Sequence, residues 1–335
     1  MTLICWLVVV FDGYDLIVYG TTLPHLMTEP GWQLTASGAG LIGSLAFAGM
    51  LVGALAAGTL ADRLGRRRTI LLATVWFSVF TALCTFAPTP EIFGAFRFLA
   101  GLGLGGLVPS ANALTAEFVR PRHRSAVATI MMSGVPIGGS AAALLGLWLL
   151  PTYGWRAMYA VAFLAVVIIV PLCLFRLPES PVWLRAHGRV VEAERIEDQY
   201  GIEHVEEGHG EHRPGIRTIL GHPWRRASLL FAGATVATLF AWYGLGTWLP
   251  KLMASDPRFD LGQPLSFLLA LNLGAVAGSF LTAWLGVRFG PMRSAVGAAA
   301  AAGVALAFLL TYPTALTPIY VALIIAGVGT TALSV

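Results

Sequence analysis

The 335-residue chain is 57% hydrophobic, carries charge on only 11% of its residues, and has a mean hydropathy of +0.76. Soluble domains hold about 25% charged residues, so this composition excludes an ordinary water-soluble core and makes lipid the solvent. The net charge of +4 comes without a basic helix interleaved with aromatics, which excludes nucleic acid as a partner; arginines facing anionic headgroups account for it.

In chain order, the apolar stretches predict ten spans, each of roughly the 20 residues that cross about 30 Å of hydrocarbon. They run over residues 3–26, 38–60, 69–88, 92–117, 125–149, 156–175, 227–250, 264–286, 294–312 and 317–335. The expectation is an all-α integral membrane protein. The first span is no cleavable leader, because no basic stretch precedes it and Asp12 and Asp15 interrupt it. Of the 21 basic residues, all but Arg97, Arg156, Lys251 and Arg258 fall in the loops that follow the even-numbered spans. The positive-inside rule then puts those loops and the N-terminus in the cytoplasm. Residues 177–225 are charged and poor in aliphatic runs, and read as a cytoplasmic linker between a six-span unit at 1–176 and a four-span unit at 226–335. Within the linker, Trp183, Leu184, Val190, Val191, Ala193 and Ile196 have the spacing of short surface helices. His204, His209 and His212, with Glu206, Glu207 and Glu211, read as a solvated charge run rather than a metal site. Cys5, Cys84 and Cys173 lie inside spans without ligand spacing and read as small core residues. No cofactor, metal or obligatory protein partner is expected.

Asp12 and Asp15 are three residues apart on a helix, so they share a face about one turn apart. Two neighbouring carboxylates out of water suit a group that binds and releases a proton near neutral pH, so the pair is the candidate for proton coupling. Gly13 between them lets another helix or a solute approach closely. Arg97, about five residues into the fourth span, offers a guanidinium to a carboxylate, whether that of a substrate or of Asp12 or Asp15; the competing expectation is snorkelling to the interface. Tyr14, Tyr19, Trp242, Tyr243 and Trp248 are candidates to stack on a substrate ring, and Asn272 to hydrogen-bond within the pocket. The three glutamines lie in loops or at span edges, so the dominant polar groups within the spans suit a small anion better than a sugar. No His/Glu cluster or nucleophile–histidine pair lies at membrane depth, and no filter-like repeat is visible, so neither an enzyme nor a channel is expected.

The chain also echoes itself. Gly58 to Arg67 after the second span recurs as Ala283 to Arg293 after the eighth, with Arg63 and Gly65 matched by Arg288 and Gly290; Ala100-Gly-Leu-Gly103 recurs as Ala326-Gly-Val-Gly329. Offsets of 225 and 226 imply duplicated halves, and a six-span first half predicts a six-span second, of which four are present.

The Gly58-x-x-x-Asp62-Arg63-x-Gly65-Arg66-Arg67 loop resembles the hallmark of the major facilitator superfamily, as do Arg97 to Gly103 and the glycine-rich Gly134 to Gly139. That resemblance implies two helical bundles around a central cavity with access alternating by rocking. It also implies a conformational latch formed by Gly58, Asp62, Arg63, Gly65, Arg66 and Arg67, with Glu117 and Arg124 as a second pair. Asp12-Gly-Tyr-Asp15 through Gly20, and Trp242 through Lys251, are similar to the aromatic acid/proton symporter family. The similarity implies proton-coupled uptake of a small aromatic carboxylate across the bacterial cytoplasmic membrane. The competing expectation is a sugar or other organic-ion porter, because Pro178 to Leu184 resembles a sugar-porter motif, although Val182 stands where that motif is usually basic. An inactive truncated fragment is the alternative of a different kind.

Overall fold

The structure, a computed structural model, describes residues 1–120, 123–202, 225–254, 262–309, 311 and 315–330. The histidine and glutamate run of the linker, Arg122 and Arg258 lie outside the described residues. Every regular element among those described is helical: α1 (Thr2–Met27), α2 (Ala36–Leu64), α3 (Arg66–Leu83), α4 (Pro90–Glu117), α5 (Arg124–Ala160), α6 (Ala162–Leu164), a π-helical turn Ala165–Ile169, α7 (Val170–Arg176), α8 (Pro181–Ala186), α9 (Val190–Tyr200), α10 (Arg225–Ala254), α11 (Gly262–Phe289), α12 (Pro291–Leu309) and α13 (Leu316–Thr330), with a 3-10 turn Cys84–Phe86 after α3.

Eight stretches are long and apolar enough to cross a membrane. One of them, Arg124–Arg176, has 53 residues, about 80 Å of helix and more than twice a bilayer core. Gly154, with φ +71° and ψ −179°, breaks it, so it holds the fifth and sixth expected spans. The tenth corresponds to α13, whose apolar run Leu316–Gly329 is shorter than the other spans.

Local chemistry sets the helix ends. Thr35 accepts from Gly38 N at 3.1 Å to start α2, and Thr89 caps α4 with Pro90 in its first turn. Gly65, at φ +93°, ends α2 and turns directly into α3. In the linker, Ser180 caps α8 through Trp183 N at 3.0 Å. The surface helices form where expected, but Val190 and Val191 are exposed; Leu184 and Ala193 are buried instead, with Glu197 paired to Arg185 at 2.5 Å.

Lipid gives helices no hydrophobic reason to associate, so close packing of small residues takes over. A methyl group at Gly13 would overlap the Val135 carbonyl, and one at Gly138 the Val10 carbonyl, so α1 and α5 touch backbone to backbone. The same device joins α2 to α4 at Gly49 and Phe98 and at Gly101 and Ala46, and it recurs between α11 and α13 at Gly274 and Ile324 and at Gly327 and Leu271. The recurring contacts are offset by 225 residues on the first helix of each pair and 226 on the second, the offsets of the sequence echo. Gly290 matches Gly65 in conformation, at φ +91°, and Ser294 bonds the Gly290 carbonyl at 3.0 Å as Thr69 bonds the Gly65 carbonyl at 2.8 Å.

Contacts between the first six spans and the rest gather at the end remote from the Gly58–Arg67 loop. There Gly20 of α1 meets Gly246 of α10, Gly146 of α5 meets Leu265 of α11, and the Phe47 and Tyr243 rings lie 4.8 Å apart. A cavity lies beside these contacts, with Tyr243 on its lining.

Candidate functional site

The cavity, of about 360 Å³, is lined by α1, α2, α4, α5 and α10. Its lining is aliphatic and aromatic, with Met50, Leu104, Val108 and Met132 facing Trp242 and Tyr243. Thr235 and Thr238 add hydroxyls, and Asp12 adds the one carboxylate; among the described lining residues there is no Lys, Arg or His. Asp12 is 1% exposed, and its Oδ1 has no hydrogen-bond partner. Such groups are rare, since an unmatched buried carboxylate costs several kcal/mol. Pro109 and Pro136, inside α4 and α5, line the cavity where backbone N–H groups are missing.

Asp15, one turn along, is fully matched. Arg97 Nη1 donates to its Oδ2 at 2.8 Å, Thr81 donates to its Oδ1 at 2.5 Å, and Arg97 Nη2 reaches the Asp15 carbonyl at 3.2 Å. Arg97 is 2% exposed, so it does not snorkel. The two aspartates are both buried, as their spacing predicts, but they diverge in surroundings. The roughly 60° between them turns Asp15 toward α3 and α4 and leaves Asp12 on the cavity. Thr81 is a participant that sequence reasoning missed, because a threonine within an apolar span carries no signal of a partner 66 residues away.

The structure disperses the aromatic candidates. Trp242 and Tyr243 line the cavity. Tyr14 donates to the Met158 carbonyl at 2.8 Å and Tyr19 to the Ala39 carbonyl at 2.6 Å, and both pack in the core away from it. Trp248 packs on Gly40. Asn272 is buried between α11 and α5 against Gly139, with Nδ2 donating to the Leu268 carbonyl at 2.8 Å and Oδ1 unpartnered.

At the Gly58–Arg67 end lies a polar cluster. Arg66 is ion-paired with Glu117, whose other oxygen accepts from the Ser180 hydroxyl at 2.5 Å. Glu179 accepts from Arg67 N and Ser180 N, both at 2.9 Å, and its carboxylate fills the space where a Gly65 side chain would go. The expected Glu117–Arg124 pair is therefore replaced: Arg66 takes Glu117, while Arg124 Nε reaches only the Val119 carbonyl at 3.4 Å. The reason is position, since the chain turns between α4 and α5 while α3 begins beside Glu117. Asp62 makes no ion pair among the described residues, and its carbonyl accepts the Trp183 indole at 2.9 Å. Arg63 is exposed, and nothing surrounds Gly58 that would explain a glycine there. Glu179 and Ser180 were visible in sequence only as part of the Pro178–Leu184 motif, whose Ser-Pro helix start was the available signal.

On the opposite face, Glu29 accepts from Arg156 Nη1 at 2.6 Å and from Trp155 Nε1 at 2.8 Å. Burial works against its charged form, but these two bonds and the guanidinium charge outweigh it and hold the carboxyl below the usual range.

The chain combines a duplicated helical array, a glycine-turned loop with its acid and arginines, and a cavity among its helices, and the family model described as Major Facilitator Superfamily matches residues 5–335. The chain belongs to that superfamily. Among its relatives, the gentisate transporter of Corynebacterium glutamicum is 50% identical over 98% of this chain and 70% of its own length. The benzoate transport protein of Acinetobacter baylyi is 37% identical over 84% of this chain, which spans 63% of that relative, and the 4-hydroxybenzoate transporter of the same organism is 30% identical over 91% of this chain and 68% of its own length. The partially occluded, inward-open xylose transporter XylE from E. coli superposes with a TM-score of 0.76 over all of this chain and 84% of that one, at 18% identity. This last likeness concerns the fold alone. Family membership makes the chain a multi-pass membrane protein of a transporter family, not an enzyme.

Proposed function

We propose that the chain carries out proton-coupled uptake of a small aromatic carboxylate, with Asp12 as the group that carries the proton. The observation behind this reading is the unpartnered Asp12 carboxylate on a cavity of about 360 Å³ faced by Trp242 and Tyr243. That volume lies at the small end of ligand pockets, about 300–1,000 Å³, and suits a single substituted ring. Ionised Asp12 repels an incoming carboxylate, and the described lining offers no cation to offset it. Protonated Asp12 removes the repulsion and becomes a hydrogen-bond donor to the substrate, so proton and anion enter as a neutral pair. Asp15, held by Arg97 and Thr81, fixes α1 against α3 and α4, and its part in proton coupling would require that pairing to open. Relatives described as gentisate, benzoate and 4-hydroxybenzoate transporters support the substrate class. A sugar fits poorly, since its hydroxyls would find few polar partners on this lining.

The same reading places residues 1–176 and 226–335 as two halves joined by the 177–225 linker, in a bacterial inner membrane with the N-terminus cytoplasmic. Rocking about the Gly20–Gly246 contact would alternate access, with the Arg66–Glu117–Ser180 cluster biasing the equilibrium. The test is uptake of radiolabelled gentisate, benzoate, 4-hydroxybenzoate and xylose into cells expressing the chain, with and without a protonophore. Aromatic-acid uptake that collapses with the protonophore and in Asp12→Asn supports the reading. Xylose uptake alone, aromatic uptake indifferent to the protonophore, or no uptake by an inserted chain overturns it.

A further inference from the structure

At the end that carries the Gly58–Arg67 loop, a second cavity of about 400 Å³ lies between the start of α3, the end of α7 and the linker helices α8 and α9. Arg67, Arg68, Arg176, Arg189 and Arg195 line it, against two carboxylates, Glu179 and Glu192. Both carboxylates are already engaged: Glu192 binds Arg189 through bonds of 2.8 and 2.5 Å, and Glu179 accepts the backbone N–H groups of Arg67 and Ser180. Arg67 spends its Nη2 on the Leu174 carbonyl. Arg68, Arg176 and Arg195 make no ion pair among the described residues, although they border one concavity. Like charges held around a hollow repel one another unless an anion sits between them, and guanidinium groups match the oxygens of a phosphate in geometry as well as charge. The place of the hollow indicates which phosphate. Arg176 ends a membrane-crossing stretch, Arg68 lies in the first turn of another, and Phe175, 82% exposed, adds an apolar ring to the same hollow.

We propose that this cavity binds the phosphate of an anionic phospholipid headgroup, clamped by Arg68, Arg176 and Arg195. The headgroup ties α3, α7 and α9 together and so steadies Glu179, the residue on which the Arg66–Glu117–Ser180 cluster is seated. The inference does not depend on the transported solute.

The experiment is titration of the detergent-solubilised full chain with short-chain phosphatidylglycerol, short-chain phosphatidylcholine and inorganic phosphate, followed by calorimetry. Saturable phosphatidylglycerol binding is expected, with phosphatidylcholine and inorganic phosphate each much weaker. A basic residue beside an anionic headgroup contributes about 1 kcal/mol, so R68Q, R176Q and R195Q should each weaken phosphatidylglycerol binding roughly five-fold, and the triple variant should lose it. Should the triple variant fail to fold, R195Q alone, on the exposed surface of α9, carries the test. Absent binding, equal binding of phosphatidylcholine, or unchanged affinity in a folded R195Q would overturn the proposal. Inorganic phosphate binding as tightly as phosphatidylglycerol would overturn the lipid source and reassign the site to a free oxyanion.

Discussion

Asp12 and Asp15 have the same chemistry and opposite surroundings, and substitution should separate them. Asp12→Asn removes a carboxylate that nothing pairs, so the fold should survive, with a melting temperature in detergent equal to or above that of the parent, while proton-dependent uptake is lost. Arg97→Ala instead leaves Asp15 charged and buried, which costs about 3–5 kcal/mol where such pairs have been broken. The joint replacement Asp15→Asn with Arg97→Gln should cost less than the sum of the two singles, read as a double-mutant cycle on thermal unfolding. Glu29 gives a pH-dependent counterpart outside the membrane. Its folded-state affinity for protons is lowered, so its stabilisation is complete above the unfolded value near about 4.3 and fades as pH falls through the lower folded value. Arg156 is 42% exposed, so screening limits the pair to about 1 kcal/mol or less, and Glu29→Gln should flatten the acid limb of a melting-temperature titration by that amount. The aspartates and Arg97 were legible because charge inside an apolar span stands out against its neighbours. Which aspartate the arginine would hold was not legible, since it turns on a 60° difference in facing and on Thr81, a residue ordinary in such a span.

For whole helices, the spans were readable from apolar length alone, because lipid demands about 20 such residues whatever the packing. Their partners were not readable: a helix apolar on all sides has no stripe to show which side is covered. What specifies partners here is the placement of glycine, and the contacts sort glycines that look alike in sequence. Gly13→Ala and Gly138→Ala should each lower the yield of folded protein from membranes, because the added methyl overlaps a carbonyl of the facing helix. Gly58→Ala, with nothing within 4 Å, should leave folding unchanged although Gly58 opens the superfamily motif. Gly65→Ala meets both a positive φ and the Glu179 carboxylate, and should disturb the α2–α3 turn itself. Size-exclusion profiles of the four variants check the ranking.

Across the molecule, the Arg66–Glu117–Ser180 cluster joins residues far apart in the chain, with Glu117 and Ser180 standing 63 positions apart. Sequence periodicity cannot reveal such a partnership, and the linker motif that supplies Ser180 and Glu179 reads locally as a helix start. Glu117→Gln should alter the rate of uptake while leaving the preference among aromatic acids unchanged, because the cluster touches none of the described residues lining the cavity; competition uptake with a panel of acids measures both at once. The paired glycine contacts have a mechanical consequence. Under the proposed rocking, Gly49 with Phe98 and Gly274 with Ile324 would act as matching rivets, one inside each half, and Gly20 with Gly246 as a bearing between the halves. A covalent tether across either rivet should leave turnover running, because those helices travel together. The same tether across the bearing should stall the machine in one posture, with solute admitted from a single side.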